Sequence, residues 1–203
     1  MEMIIASVGR YILLAITAVT VENAVLSRGL GISRLISLID YTTDTKVFAV
    51  LLTSSMTLSG LIFWFACRML PEPYATGYMY IALTAVLCMA VSFAVVFILA
   101  IKLMPVNMVA KAAAAMPGAC FNSMVLGTLF LTVQNDMSLI ETLIFCVFSS
   151  LGFILAVLLV TEGQQKLQNR EMPTAFKGLP ATLLYLSGLS MAVYALVGHV
   201  FSL

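Results

Sequence analysis

Two short polar interruptions lie inside segments that are otherwise almost entirely apolar: Glu22-Asn23 in the first, and residues 116–123, which include Asn122, in the fourth. Hydrocarbon offers no hydrogen-bond partners, so polar or irregular backbone at membrane depth persists only where protein or a water-lined cavity surrounds it. An ionisable side chain in such a place is a functional candidate, with transfer of H⁺ or Na⁺ as its role. Glu22, Asn23 and Asn122 are therefore the candidate residues of an ion or electron path.

The residues around the interruptions explain why the chain would break there. Pro117 removes one helical hydrogen bond and crowds the preceding turn, and Gly118 lets the backbone leave helical geometry. We expect the fourth segment to consist of two short helices that meet near mid-membrane, with free N–H and C=O groups at the junction. The alternative is a simple proline kink that a neighbouring helix satisfies. Glu22 has two structural alternatives to ion transfer, namely capping the free N–H groups of a broken helix and pairing with Arg28.

The composition places these residues in a membrane. Of the 203 residues, 62% are hydrophobic and 9% are charged, against about 45–50% and 25% in soluble domains. A hydrophobic stretch needs about 20 residues to cross the bilayer core, and six stretches qualify. They are residues 3–26, 47–70, 78–103, 108–133, 139–161 and 181–203. This predicts a single membrane domain over residues 1–203, without a soluble catalytic domain, and the net charge of +1 implies no nucleic-acid partner.

The basic residues predict how the chain is oriented. Eight of the ten Lys and Arg residues fall in the connections after segments one, three and five, and only Arg10 and Arg68 fall on the other side. Because Lys and Arg concentrate in cytoplasmic connections, both termini should face outward. With three helices in each half, residues 1–104 and 105–203 would be repeats inverted relative to each other, each starting with an interrupted segment. The predicted fold is an all-α membrane protein of six transmembrane helices in two inverted three-helix repeats, with helices one and four broken.

Four motifs, in order along the chain, resemble those of one membrane-protein family. Residues 22–27, followed by Leu30-Gly31-Ile32, resemble the first-helix signature of the integral membrane subunits of the Rnf and Nqr ion-translocating oxidoreductases. Met116-Pro117, followed by Asn122 and residues 125–127, resembles the fourth-helix signature. Residues 133–138 and 172–178 resemble the family's fourth-to-fifth connection and its last cytoplasmic loop. The predicted orientation, with the N-terminus outward, resembles that of the RnfA/NqrE branch of the family, whose sister subunits have the opposite orientation.

The resemblance implies a cofactor whose ligands this chain lacks. In the family, one cysteine in each broken helix holds half of a [2Fe–2S] cluster, and the sister subunit supplies the other half. Ser33 and Ser123 occupy these two positions here, and a serine hydroxyl is a poor substitute for a thiolate. Cys120, three residues before Ser123, is the one candidate for a shifted ligand. The other three cysteines are expected to pack as small hydrophobes, so we expect no complete cluster, no other metal site and no catalytic residue.

The resemblance implies a membrane subunit that is not catalytic alone, in a bacterial inner-membrane complex that couples electron transfer to H⁺ or Na⁺ translocation. The chain contains no P-loop, GxGxxG, CxxC or HExxH motif, so other polypeptides must supply the nicotinamide and flavin sites. A second hypothesis is a cluster-free paralogue that acts as a small-solute or ion transporter, or as a scaffold. Inverted repeats with broken helices suit alternating access equally well.

Overall fold

The computed structural model of this chain describes residues 2–40, 45–69, 77–167, 173 and 177–198. Those residues form eight α-helices and no β-strand, so the all-α prediction is confirmed for them. The helices are α1 (Glu2–Val19), α2 (Ile32–Asp40), α3 (Thr45–Met69), α4 (Tyr78–Leu103), α5 (Val106–Cys120), α6 (Ser123–Gln134), α7 (Leu139–Leu167) and α8 (Leu179–Gly198).

The helices account for the six predicted membrane segments. Within the described ranges, α3, α4 and α7 are each long and apolar enough to cross a membrane, and α5 with α6 is a pair bent by 46° whose combined length and composition suit a broken span or a re-entrant loop. The shorter apolar helices α1 and α8 fill the first and last segments. No predicted segment covers α2, which lies between the first and second segments. Helix α7 is longer than predicted, since it continues past residue 161 to Leu167. Residues 70, 170, 172, 174–176 and 199–203, which belong to predicted segments, motifs or basic connections, lie outside the described residues.

Helix α3 lies at the centre of the bundle, where it packs against α4, α5 and α7. Its approach to α7 is close at Gly60, where an added Cβ would lie 2.6 Å from the Sγ of Cys146. Nearby, the Oγ of Ser150 donates a hydrogen bond to the Oγ1 of Thr53 at 3.0 Å. Lipid tails are as apolar as the helices, so helix pairs in membranes rely on small residues that permit close packing and on interhelical hydrogen bonds. The α3–α7 pair uses both and forms a frame for the broken helices.

The first predicted helix is broken over a long stretch. Helix α1 ends at Val19, and regular helix resumes only at Ile32. The intervening turns contain Gly29 and Gly31 with φ angles of +68° and +78°, a left-handed conformation that glycine adopts without steric cost. The polar pair of residues 22 and 23 therefore lies within the break, as predicted.

The second break falls within residues 116–123, as predicted, but not at Pro117 and Gly118. Both lie inside α5, which continues to Cys120. The backbone leaves helical geometry at Phe121 (φ −92°, ψ 67°) and at Asn122 (φ −117°, ψ 138°). A proline costs a helix one hydrogen bond and a steric clash but leaves its other hydrogen bonds in place, so α5 can continue through Pro117. The break falls instead at Asn122, whose side chain caps the start of a new helix. The prediction that the proline and glycine form the junction is therefore wrong.

The division into repeats of residues 1–104 and 105–203 stays a prediction. Each proposed repeat begins with a broken helix, and each break is capped by an asparagine. The two breaks differ in length, since the first covers residues 20–31 and the second only residues 121 and 122.

Candidate functional site

Asn23 lies near the start of the first break, and it is completely buried. Its Oδ1 accepts hydrogen bonds from the backbone N–H groups of Val25 (3.0 Å) and Leu26 (3.1 Å). Its Nδ2 donates to the carbonyl oxygens of Val19 (2.9 Å) and Gly152 (3.0 Å). The side chain thereby satisfies the free carbonyl end of α1, caps the following turn and ties both to α7.

Asn122 performs the corresponding capping in the second break. It lies immediately before α6, and its Oδ1 accepts a hydrogen bond from the backbone N–H of Met124 at 3.3 Å. Its Nδ2 is buried and has no hydrogen-bond partner in the part of the chain that the structure describes. Both asparagines therefore cap a break, but only Asn23 uses both ends of its amide group.

The two breaks meet at one junction. The backbone N–H of Gly31, which precedes α2, donates a hydrogen bond to the Oγ of Ser123, the first residue of α6, at 3.0 Å. A Cβ on Gly31 would lie 3.2 Å from the Oδ1 of Asn122, so glycine permits this close approach. Leu30 packs beside Gly127 of α6, where any Cβ would overlap its side chain. The expectation that the two interruptions face each other agrees with these contacts.

Arg34 makes a second connection between the breaks, from α2 to α5. Its guanidinium lies against Gly118, where a Cβ would overlap it, and its Cζ lies 5.3 Å from the centroid of the Phe48 ring. One Nη lies 3.5 Å from the carbonyl oxygen of Ala115. A permanent positive charge therefore lies near the carbonyl end of α5, which the helix dipole makes negative. Gly118 thus provides room for a guanidinium instead of turning the backbone.

Glu22 pairs with Arg28 inside the first break. An Nη of Arg28 lies 2.6 Å from an Oε of Glu22, and the two side chains are 40% and 29% exposed, respectively. Of the two structural alternatives given for Glu22, pairing is the one observed, and no hydrogen bond from a described backbone N–H reaches its carboxylate. Ion transfer remains compatible with this pairing because the carboxylate is still partly exposed.

A partly open cleft of about 300 Å³ extends from Glu22 along α1 toward the start of α7. At its far end an Nη of Arg10 lies 2.6 Å from an Oε of Glu141. The other carboxylate oxygen of Glu141 accepts a hydrogen bond from the backbone N–H of Ser138 at 2.9 Å. Glu141 was not among the site residues predicted from the sequence. Its signal was the Ser138-x-x-Glu141 pattern, a capping box that marks the start of a helix.

Comparison with known proteins identifies the family. The family described as "Rnf-Nqr subunit, membrane protein" matches residues 11–200. The chain belongs to the Rnf-Nqr family. The A subunit of the Na⁺-translocating ferredoxin:NAD⁺ oxidoreductase complex of Acetobacterium woodii is 28% identical over 182 residues, which cover 85% of this chain and 89% of that protein.

Two further relatives have names of the same kind. The A subunit of the ion-translocating oxidoreductase complex of Aromatoleum aromaticum is 28% identical over 191 residues, covering 94% of this chain and 97% of the relative. Its counterpart in Syntrophotalea carbinolica is 26% identical over 189 residues, covering 93% and 97%. All three relatives are A subunits by name, in agreement with the resemblance to the RnfA branch.

The junction of this Rnf-Nqr subunit does not fit a [2Fe–2S] cluster held in the way the resemblance implies. Ser33 and Ser123 are both exposed. Ser33 follows Gly31 by two residues, and Ser123 accepts the hydrogen bond from the backbone N–H of Gly31. They offer hydroxyl groups, whereas iron–sulfur clusters take thiolates. The Oγ of Ser123 is already engaged by a backbone N–H, which is a contact that a hydroxyl makes well.

Cys120, the candidate for a shifted ligand, is the last residue of α5, immediately before the second break. Its side chain is buried within the core of the bundle. The expectation that Cys120 and Ser123 adjoin on one helical face depended on a continuous helix, and the break at Phe121 and Asn122 separates them. The remaining cysteines lie on α3, α4 and α7: Cys67, Cys88 and Cys146. Among the described residues, no group of three His, Cys, Asp or Glu side chains could hold a metal ion.

Proposed function

We propose that this chain is the RnfA-type membrane component of an Rnf/Nqr-type complex in which electron transfer drives H⁺ or Na⁺ across the membrane. Membership of the Rnf-Nqr family supports this, as do the names of the relatives, which are subunits of ion-translocating oxidoreductases. In this proposal the chain is not catalytic alone, and the nicotinamide and flavin sites belong to other subunits.

The hydrogen bond between Gly31 and Ser123 is the observation that carries the proposal. Membrane proteins built from inverted repeats place their working site where broken helices of the two halves meet. Here that bond brings both breaks together. Because Ser33 and Ser123 are exposed beside it, the junction is accessible to another membrane subunit. We propose that a related subunit of opposite orientation binds over this face.

We assign the ion path in this chain to Glu22, Asn23 and Asn122. Glu22 supplies a partly exposed carboxylate inside a break, and such intramembrane carboxylates commonly serve ion transfer. Asn23 fixes the backbone beside it through four hydrogen bonds. Asn122 brings a buried donor without a partner among the described residues. No electron-transfer step is assigned to the hydroxyls of Ser33 and Ser123, because they do not fit the cluster that the resemblance implies.

We propose that the protein resides in the bacterial cytoplasmic membrane with both termini on the outer side. The distribution of Lys and Arg supports this orientation. Two of the eight residues counted as cytoplasmic, Arg28 and Arg34, lie within the first break and on α2. Six basic residues still fall on the proposed cytoplasmic side without them, against Arg10 and Arg68 on the other.

The test is to purify the chain from its native membranes and to identify the subunits that accompany it. We expect redox subunits and a related membrane subunit in stoichiometric amounts. Iron analysis and low-temperature EPR of the reduced complex then compare the wild-type chain with a double variant, Ser33→Cys with Ser123→Cys. We expect the double variant to bind more iron, and the Cys120→Ala variant to bind the same amount as the wild type. A wild-type chain that accompanies no redox subunit would overturn the proposal.

A second candidate function is a cluster-free paralogue that transports a small solute or ion, or that serves as a scaffold. The hydroxyls of Ser33 and Ser123 at the junction favour it, because they replace the thiolates that a cluster requires. The same purification separates the alternatives. Redox partners without iron at this subunit indicate a scaffold, whereas the absence of both indicates a transporter.

A further inference from the structure

We infer that the cleft between α1 and α7 is a water-filled vestibule, which admits small monovalent cations to Glu22 from the membrane face where α1 and α7 begin. This inference rests on the proposed function and deepens it, because it gives the ion path an entrance and a direction. It is carried by the shape of the cleft, by the residues that line it and by their charges.

One stripe of α1 forms a wall of the cleft. Arg10, Leu14 and Thr17 line it, and their spacings of four and three residues place them on a single face of α1, while Val21 continues the wall into the first break. At 1.5 Å per residue, the stretch from Arg10 to Val19, where α1 ends, corresponds to about 14 Å along the helix. That length is roughly half of the 30 Å hydrocarbon core. The cleft therefore reaches from one membrane face to the level of the first break.

The lining distinguishes this cleft from a surface in contact with lipid. The Arg10–Glu141 pair lies at one end and Glu22 at the other. The remaining faces of α1 instead expose large apolar side chains, such as Leu13 at 63% and Ile16 at 55%. Charged side chains at membrane depth face protein or a water-filled cavity. The volume of about 300 Å³ is far more than the roughly 15 Å³ that one water requires.

The charges on the wall favour a cation over an anion. Two carboxylates, those of Glu22 and Glu141, line the cleft together with one guanidinium, that of Arg10. Arg28 pairs with Glu22 but does not belong to the wall. The lining thus offers a cation two carboxylates as partners and an anion only one guanidinium, although a cation has to displace Arg28 or Arg10 to bind. Glu22 at the inner end is therefore the residue that an entering cation reaches last.

Cysteine accessibility tests the vestibule in the full-length chain, in native membrane vesicles of both orientations. Thr17→Cys faces the cleft, and its neighbour Ile16→Cys lies at the same depth but faces away from it. Gln134→Cys, exposed at the end of α6, reports which face of the membrane the reagent reaches. The wild-type chain supplies the background from its own cysteines. Membrane-impermeant thiosulfonates of either charge, similar in size, serve as probes.

We expect Thr17→Cys to react from the same side as Gln134→Cys, many times faster than Ile16→Cys, and faster with the cationic reagent than with the anionic one. Adding Glu22→Gln should reduce that charge preference. Equal reactivity of Thr17→Cys and Ile16→Cys would overturn the vestibule, and so would reaction from the opposite side only. Faster reaction with the anionic reagent would overturn the cation assignment. Val21→Cys replaces Thr17→Cys if the latter fails to accumulate.

These outcomes are independent of electron transfer. Labelling requires neither redox partners nor turnover, so a chain without redox subunits can still show the vestibule. Conversely, a functional complex in which Thr17→Cys does not react would retain the proposed function and exclude this entrance.

Discussion

The first break covers residues 20–31, whereas the second consists only of Phe121 and Asn122. In the first, the Asn23 amide makes four hydrogen bonds, one of which reaches across to α7. In the second, Asn122 makes one hydrogen bond, and its Nδ2 has no partner among the described residues. The same residue type therefore caps both breaks, but the first side chain is fully engaged and the second keeps a spare donor.

This difference indicates which of the two breaks is fixed by hydrogen bonds and which can change its conformation. A buried donor without a partner costs free energy, so a conformation that satisfies Asn122 would be favoured if the local backbone could reach it. The 46° bend between α5 and α6 lies at the same place. The bond from Asn23 to Gly152, by contrast, fixes the first break to α7, which packs on the central helix α3. We therefore expect conformational change at the second junction and rigidity at the first.

The largest expected effect comes from removing the engaged amide. Asn23→Ala leaves two buried N–H groups and two carbonyl oxygens without this partner, and it should lower the free energy of unfolding by about 3 kcal/mol. Asn122→Ala is the matched control, and it should cost about 1 kcal/mol because one bond is lost and one unsatisfied donor disappears. Unfolding in mixed micelles, followed by circular dichroism, measures both. Equal costs would contradict the asymmetry between the breaks.

The next largest effect tests the contact of Arg34 with the second break. Gly118→Ala places a methyl group where the guanidinium lies, and such overpacking should cost about 2 kcal/mol. Combining it with Arg34→Ala should restore most of that loss, because the overlapping group is gone. A loss that is unchanged in the double variant would mean that Gly118 is required for its backbone and not for the space it leaves.

Gly188→Ala is the control for this pair. Gly188 lies inside α8, and a Cβ there meets nothing within 4 Å. Alanine in a helix interior is favoured over glycine by about 0.5–1 kcal/mol, so this variant should be neutral or slightly stabilising. A destabilised control would show that glycine replacement in this bundle is harmful for another reason.

The sequence predicted the membrane helices well because apolar length determines them, but it located the second junction poorly. Pro117 and Gly118 are conspicuous in a helical segment, yet a helix continues through them when its other hydrogen bonds remain. Asn122 marks the real break, and it does so through a side-chain bond to Met124 that composition does not reveal. The short helix α2 was missed because its nine residues do not form a long apolar run.

The meeting of the breaks was predictable from their positions, whereas the residues that join them were not. Gly31 and Ser123 contact each other over 92 positions of sequence, and no local pattern specifies that pairing. Arg34 was counted only as a positive charge in a connection, although its guanidinium fits against Gly118. Such contacts depend on how helices pack in three dimensions, and a single sequence does not contain that geometry in readable form.

A smaller effect is expected where the breaks are joined by one hydrogen bond. Ser123→Ala removes the acceptor for the N–H of Gly31, and it should lower the free energy of unfolding by about 1 kcal/mol. Ser33→Ala is the matched control, because Ser33 is exposed and its side chain makes no hydrogen bond to another described residue. We expect it to be neutral in the same micelle experiment. If Ser33→Ala were the more costly, the junction would depend on a contact other than the one between Gly31 and Ser123.

The smallest effect on stability is expected at the ion pair of the first break. Both side chains of the Glu22–Arg28 pair are partly exposed, and exposed pairs contribute only about 0–1 kcal/mol. Glu22→Gln should therefore leave the free energy of unfolding nearly unchanged while it reduces ion translocation by the assembled complex, because the amide no longer carries a negative charge. Arg28→Gln, which removes the partner but keeps the carboxylate, should retain more translocation than Glu22→Gln in a vesicle assay. The reverse order would assign Glu22 to structure alone, and both breaks would then be scaffolds around an ion path located elsewhere.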